Sequence, residues 1–304
     1  MPKPTSVPPI PLSERPRSGP YSGLNANSAR RFLRKQFEQA GLTDCEAEAR
    51  DLVMAATGFS HVELITQGTD FLLPEAFDRL QDYSARRLSG EPVDNILGWR
   101  EFYGRRYTVG PDVLSPRQET EEVTVKALEL IARKPAPAIL DLGTGSGAII
   151  ITLLLERPDA IGTASDISKA ALKIAKTNAA GHGIAERARF IQSDWLKAIE
   201  GQFDLIISNP PYIDSQAMKA LPLDVLSFDP KLSLHGGEDG LTPYRLIAAH
   251  AKTHLKSGGW LVLEIGFDQG QSLPAILCQN GFDNIASFKD SNGNDRIVVA
   301  NITP

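Results

Sequence analysis

Cysteine is almost absent from this chain. Two in 304 residues, Cys45 and Cys278, stand far apart and form neither a metal-ligand cluster nor a redox pair by spacing. Both are expected to be reduced, and buried or incidental. Long hydrophobic runs are missing too: the longest, Ala148 to Leu155, is interrupted by Thr152 and is far too short to cross a bilayer. Nor is there a surplus of positive charge. Lys and Arg number 32 against 37 Asp and Glu, a net charge of -5, which argues against wholesale nucleic-acid binding while leaving room for a local basic patch. What is present is ordinary for a globular chain, 42% hydrophobic and 23% charged, with ample material for a core. The length suits one large domain and a smaller one. A soluble, cytoplasmic, two-part protein without membrane contact is the expectation.

Seven of the 21 prolines fall in the first twenty residues. Proline removes backbone donors and this stretch has little apolar surface, so residues 1–27 are expected to be a disordered tail. There is no apolar run for a signal peptide; Lys3, Arg15 and Arg17 give only weak support for a transit peptide. From Ser28 to about Gly90 the pattern is helical. Ser28 is placed to cap a first helix that Gly41 ends, and Thr43 with Glu46 has capping-box spacing for a second helix stopping at Gly58. Pro74 suits the first position of a third, ending near Leu88. Arg30, Arg31, Arg34 and Lys35 read as a solvated basic face, and Asp44, Glu46, Glu48 and Asp51 as a solvated acidic one.

Aromatics, β-branched residues and glycines between Trp99 and Leu114 indicate a β-hairpin within a linker over 99–118. A helix from Glu119 to about Ala132 follows. Beyond Ala138 apolar runs alternate with helical stretches, the pattern of βαβ units around a parallel sheet. Strands are expected at Ala138–Leu142, Ile161–Ser165, Arg189–Gln192, Phe203–Ser208 and Trp260–Ile265, with helices at Ala148–Glu156 and Lys169–Ala180. Ile285–Lys289 and Arg296–Asn301 flank a turn and close the chain as an antiparallel hairpin. The fold class is therefore α/β, a Rossmann-like, mostly parallel sheet over 119–304 preceded by an all-α bundle over 28–98.

Two constellations carry chemistry. The first is Asp141-Leu142-Gly143-Thr144-Gly145-Ser146-Gly147-Ala148 at the carboxyl end of a strand. Glycines there permit a tight turn and let a ligand lie against bare backbone at a helix N-terminus. Asp166, at the end of the next strand, is placed to accept hydrogen bonds from ribose hydroxyls. Together they indicate a nucleoside cofactor, either NAD or S-adenosylmethionine, against the alternative of a purely structural turn. The second constellation is Asn209-Pro210-Pro211-Tyr212 after the strand Phe203–Ser208. Two prolines make a stiff loop that cannot rejoin the sheet. The Asn209 amide and the Pro210 carbonyl then offer two acceptors to a group with two N–H hydrogens, and Tyr212 offers an aromatic face. A planar NH2 fits, whether a base amine or a carboxamide. Other candidates are weaker. His250 and His254 have metal-ligand spacing, but Ala251 stands where a general base belongs, and Ser146 is not in a nucleophile elbow.

In these motifs the sequence resembles the peptide chain release factor glutamine N5-methyltransferases, the PrmC/HemK family. The likeness runs from about residue 28 to the end: Glu91-Pro92-Val93 with Leu97-Gly98, Glu101-Phe102-Tyr103-Gly104, Pro116-Arg117-Gln118-Glu119-Thr120-Glu121, the glycine turn, Asp194-Trp195, Asn209-Pro210-Pro211-Tyr212-Ile213, Gly236-Gly237-Glu238-Asp239-Gly240-Leu241, Leu263-Glu264-Ile265-Gly266 and Gly293-Asn294-Asp295-Arg296. Ser115, Gln118, Asn95 and Asp229-Pro230 depart from the family pattern. The resemblance implies S-adenosylmethionine as cofactor. Gly143, Thr144, Gly145, Ser146 and Gly147 would hold its methionine part, Asp166 its ribose, and Asp194 with Trp195 its adenine, with Asn209 nearby. Asn209, Pro210, Pro211 and Tyr212 would bind the substrate carboxamide, and the helical domain would help select a release factor. The implied reaction is methylation of the glutamine side chain in a Gly-Gly-Gln loop. Readings kept beside it are methylation of a DNA or RNA amine, methylation of a glutamine in another ribosome-associated protein, a non-catalytic cofactor-binding scaffold and an NAD-dependent oxidoreductase. No metal and no direct nucleic-acid substrate are expected.

Overall fold

The computed structural model describes Tyr21 and residues 23–303; the proline-rich residues 1–20 lie outside them. The chain forms two compact units, residues 1–97 and 98–304.

The first unit is helical: α1 (Ala26–Gln39), α2 (Cys45–Thr57), α3 (His61–Gln67), α4 (Pro74–Leu88) and α5 (Val93–Leu97). Leu33, Phe37, Leu52, Val53 and Leu80 recur at helical spacing and make its core. Part of the expected tail is structured: Tyr21 and residues 23–27 are described. Tyr21 is buried, packs edge-on against Phe32 at 5.4 Å and donates its hydroxyl to Gln36. The cap of α1 is Asn25, whose side chain accepts from the Ser28 N–H, so Ser28 lies inside the helix rather than at its start. No capping box forms at Thr43; Asp44 holds the N-cap position with φ 52° and no side-chain cap bond. The box that does form is Ser60 with Glu63, opening α3.

The two charged faces meet each other instead of only water. Glu46 pairs with Arg30 and Arg34. Glu48 forms a two-pronged pair with Arg87, 2.8 and 3.0 Å, with the Arg87 side chain only 6% exposed. Glu48→Leu would leave that guanidinium buried without its anion, an arrangement that costs about 3 kcal/mol. A lowered urea midpoint for the helical unit is the expected result.

The second unit opens with the hairpin β1 (Trp99–Phe102) and β2 (Arg105–Thr108). It is part of this unit's core, since Phe102 and Tyr107 are buried there and the Tyr107 hydroxyl meets Thr152 at 2.8 Å. Then come α6 (Glu119–Leu130), β3 (Ala138–Leu142), α7 (Ala148–Glu156), β4 (Ile161–Asp166), α8 (Lys169–Gly181), β5 (Ala188–Gln192), β6 (Phe203–Ser208), α9 (Ala217–Ala220), α10 (Leu223–Phe228), α11 (Thr242–Ala251), β7 (Leu255–Glu264), α12 (Ser272–Gln279), β8 (Asp283–Lys289) and β9 (Asp295–Asn301). Seven strands form one sheet in the order β5-β4-β3-β6-β7-β9-β8, parallel except for β9 against both neighbours. This is the Rossmann-like sheet with an antiparallel terminal hairpin.

Strand alternation divides the core into two layers. Ile139, Leu205, Ile207 and Val262 face one side, with α6, α7 and α8; Leu140, Leu142, Ile206 and Leu263 face the other, with α11 and α12. Covered on both faces, these strands read as continuous apolar runs. The apolar run Ala148 to Leu155 is α7, buried from Ala148 through Leu154. α12 was not among the expected helices; its Pro274 falls in the first helical turn, where no hydrogen bond is lost. His250 lies in the last turn of α11, whereas His254 lies in a separate 3-10 turn against the Gly201 carbonyl. Of the two free cysteines, Cys278 is exposed rather than buried.

Candidate active site

Strand register brings the chemistry together. Leu142 on β3 lies beside Ser165 on β4 and Ser208 on β6; Asp166 lies beside Gln192 on β5; Ser208 lies beside Leu263 on β7. The residues that follow, Gly143, Asp166, Asp194, Asn209 and Glu264, therefore emerge along one carboxyl edge. The strand order reverses between β3 and β6, and ligands of open α/β sheets bind at such a switch point. A cavity of about 500 Å³ opens there, within the range of small-molecule sites. Gly143 to Ser146, Asp166, Asp194, Trp195, Asn209 and Pro211 line it.

The glycine turn is open on one side and closely packed on the other. Gly143, Gly145 and Gly147 have φ of 68°, 55° and 81°, a region costly for residues with a Cβ. A Cβ on Gly145 would meet nothing within 4 Å, so this backbone faces open space. One on Gly147 would stand 2.9 Å from Ile151 and 3.1 Å from Ala175. Gly147 thus serves α7 and α8 packing and is not on the cavity wall. Asp166 accepts from the Gly145 N–H at 2.9 Å and the Ser168 N–H at 2.8 Å. Burial nevertheless raises its pKa. Trp195, itself at φ 52°, lies 3.8 Å from where a Gly143 Cβ would be, with its indole against the turn. Asp194 is half-exposed and paired with Lys197 at 2.5 Å.

Beneath the turn lies the residue that opens the motif, to which the sequence assigned no role of its own. Asp141 is fully buried; one oxygen accepts from the Thr144 hydroxyl at 2.6 Å and the other, Oδ1, has no partner among the described residues. Desolvation lifts its pKa to about 7, against the Thr144 hydrogen bond. An orphaned acceptor under a bare glycine turn fits a cationic ligand such as the amino group of S-adenosylmethionine.

At Asn209 the structure refines the expected geometry. Asn209 and Pro211 face the cavity, while Pro210 is buried and off its wall. Tyr212 lines a narrow adjoining recess with Arg117, Asn209 and Leu234, rather than the main cavity. No hydrogen-bond donor among the described residues reaches the Pro210 carbonyl. The Asn209 Nδ2 donates to Thr120 Oγ1 at 3.2 Å, and Thr120 donates to Glu264 Oε2 at 2.8 Å. The Gly236–Gly240 loop backs the turn so closely that a Cβ on Gly236 would lie 2.8 Å from Tyr212 Cα, and one on Gly240 2.4 Å from the Tyr212 carbonyl oxygen. Gln269, buried, donates to the carbonyls of Tyr212 and Gly240 and accepts from the Gly266 N–H, clamping the three segments.

Thr120, Glu264, Gln269 and Asp141 were not among the expected site residues. One signal marked Glu264: a lone carboxylate ending an otherwise apolar strand. It is fully buried, and desolvation pushes its pKa to about 7 against the Thr120 hydrogen bond and the charges of Arg296 and Arg117. Asp141 and Glu264 are both harder to ionise in the fold than in the unfolded chain, where 3.8 and 4.5 apply. Their contribution to stability is complete below those values and is lost as pH rises through about 7. Asp159 and Asp239, held at about 2 mainly by Arg157 and Arg245, act oppositely and lose their contribution only in acid. The cofactor-free protein is expected to melt highest between about pH 4 and pH 6 and to lose stability toward pH 8, in a thermal-melt series across pH.

Comparison with known proteins agrees with this geometry. The model of the Methyltransferase small domain matches residues 119–226, and that of the PrmC N-terminal domain residues 28–98. The chain is 42% identical over 270 residues to the release factor glutamine methyltransferase of Agrobacterium fabrum, covering 88% of this chain and 93% of that one. Identity to the Neisseria gonorrhoeae enzyme of the same name is 44% over 256 residues, or 83% and 92% of the two chains. Among solved structures, the hMettl16 catalytic domain in complex with MAT2A 3'UTR hairpin 6 superposes with TM-score 0.55 at 15% identity, over 73% of this chain and 83% of that one, a likeness of fold. Motif order, sheet topology and relatives agree: this chain belongs to the release factor glutamine methyltransferase family, whose cofactor is S-adenosylmethionine.

Proposed function

We propose that this protein methylates the side-chain amide nitrogen of the glutamine in the Gly-Gly-Gln loop of peptide chain release factors. The observation that carries the reading is the Asn209 amide, aimed into the cavity with its Nδ2 engaged by Thr120, so that Oδ1 is the group left for a substrate. S-adenosylmethionine, when bound, supplies an electrophilic methyl on a sulfonium. The residues proposed to hold it are Gly143, Thr144, Gly145 and Ser146 of the turn, Asp166 for the ribose, and Asp194 with Trp195 for the adenine; Gly147 supports them through the helix it opens.

A carboxamide nitrogen is a weak nucleophile because its lone pair is delocalised into the carbonyl. Asn209 Oδ1 and the Pro210 carbonyl would take its two hydrogens, fix it in line for attack and stabilise the positive charge growing on it, the mirror image of an oxyanion hole. Asn209 borders both the cavity and the Tyr212 recess, where the phenol ring would pack against the amide plane. An alkylated amide nitrogen is acidic and sheds its proton readily, so the site needs no strong general base. The substrate belongs to the translation machinery, and we place the protein in the cytoplasm; among the described residues no helix is long and apolar enough to cross a membrane. Nucleic acid is not the proposed substrate, since the net charge of -5 gives little of the electrostatic affinity a duplex demands.

The test is transfer of labelled methyl from S-adenosylmethionine to purified release factor, with RNA and DNA in parallel. Label in the release factor, lost when its Gly-Gly-Gln glutamine is replaced, is the expected result. Label in nucleic acid alone overturns the substrate, and cofactor binding without transfer to any of the three points to a scaffold.

A further inference from the structure

The acceptors proposed for the substrate differ in kind. A backbone carbonyl can only accept, but a side-chain amide has two ends, and turned over it would present a donor. If the Asn209 amide flipped, two N–H groups would face each other and the substrate nitrogen would lose an acceptor. Something must hold the amide one way round.

The hydrogen-bond chain behind Asn209 has that property. Thr120 is buried on the first turn of α6 and has one hydroxyl hydrogen, which goes to Glu264 Oε2 at 2.8 Å. Its lone pairs are what remain for Asn209, and they take Nδ2 at 3.2 Å. Each link fixes the direction of the next. An ionised carboxylate only accepts, so Thr120 must donate backward and accept forward, and Asn209 must turn its nitrogen to Thr120 and its oxygen to the cavity. Thr120 also lines that cavity, so the chain ends at the substrate edge and not in the core. We propose that Glu264, acting through Thr120, is a positioning residue that sets the polarity of the Asn209 amide toward the substrate. The inference rests on the reading of Asn209 as the substrate's acceptor.

The chain carries a consequence for pH. A protonated Glu264 can donate to Thr120 Oγ1, which frees the Thr120 hydrogen to seek an acceptor on Asn209 and favours the flipped amide. The groups facing Glu264 are Arg296 from β9, Arg117 and Glu119 at the start of α6, Tyr212 from the turn and Tyr244 from α11, whose hydroxyl donates to the Glu264 backbone carbonyl at 2.9 Å. Burial outweighs the two arginines and leaves the carboxyl titrating at about 7. Turnover with cofactor saturating should therefore fall on the acid side of neutrality.

A merely structural role, pinning α6 to β7, would lower the melting temperature and leave kcat and its pH profile alone. The discriminating experiment measures transfer to release factor at saturating cofactor for wild type, Thr120→Val, Thr120→Ser and Glu264→Gln, with cofactor affinity by calorimetry. Thr120→Val, which matches the shape without the hydroxyl, is expected to lower kcat at least about tenfold with KM for the release factor little changed. Cofactor affinity should stay within about twofold. Thr120→Ser should restore kcat, and Glu264→Gln, which has no proton to gain, should lose the acid limb. Wild-type kcat in Thr120→Val, or an unchanged acid limb in Glu264→Gln, overturns the inference. If the wild type transfers nothing to release factor, the substrate reading fails, and the relay is then read from the Asn209 side-chain 15N–1H resonances. A shift through neutral pH that vanishes in Glu264→Gln supports the relay. No shift in the wild type overturns it.

Discussion

Asn209→Ala is expected to lower methyl transfer at least ~100-fold, the order of loss seen when one preorganised charge-stabilising group is removed. The substitution deletes one of the two acceptors proposed for the substrate amide and leaves the Pro210 carbonyl as the other. It touches neither the glycine turn nor Asp166, whose hydrogen bonds run to Gly145 and Ser168. Cofactor affinity by calorimetry should accordingly stay close to that of the wild type. The backbone should survive as well, because the turn is held from behind by Gln269 on the Tyr212 carbonyl and by Ser208, which donates to Leu142 at 2.7 Å. A comparable loss of cofactor affinity would show that Asn209 serves the cofactor rather than the methyl acceptor.

Asp166→Ala should reverse that pattern. The carboxylate ends β4, is largely buried, and holds Gly145 in its left-handed conformation through the 2.9 Å bond to its N–H. Removing it takes away the acceptor proposed for the ribose and loosens the turn against which the cofactor lies. Hydrogen bonds to charged groups contribute about 1.5–3 kcal/mol each, so cofactor affinity should weaken on the order of 100-fold. Since nothing at Asn209 changes, kcat should largely recover when cofactor is raised to saturation. Calorimetry and a cofactor titration of the transfer rate separate the two effects. A kcat that stays low at saturation would place Asp166 in the chemical step.

How far the site was legible depends on whether its parts are contiguous in the chain. Asp141 to Ala148 and Asn209 to Tyr212 are short runs whose local chemistry, glycine freedom in one and proline stiffness in the other, announces an unusual loop at a strand end. The Gly236–Gly240 loop was visible only as part of a resemblance. Gly236 and Gly240 let the loop lie against Pro211 and Tyr212, where side chains would collide. Thr120 and Gln269 are separated from Asn209 by up to 89 positions and no local rule singles them out, while Glu264 is marked only as a lone carboxylate ending an apolar strand. The helix starts show the same limit on a smaller scale. Asn25 and Ser28 both have capping chemistry for α1, and Asn25 takes it; at α2, Asp44 and not Thr43 holds the N-cap position.

The alternation of strand and helix, the two loops at strand ends and the kind of molecule each can hold follow from local chemistry, because period, glycine and proline act within a few residues. Which polar groups stand behind those loops depends on contacts between segments distant in the chain. Leu142, Ser208 and Leu263 lie side by side through sheet register, which places Glu264 next to Asn209, and the packing of α6 against β7 sets Thr120 between them. Burial of Glu264 and Asp141 is likewise a property of the packed layers, and it is burial that turns two ordinary carboxyls into groups that titrate at about 7.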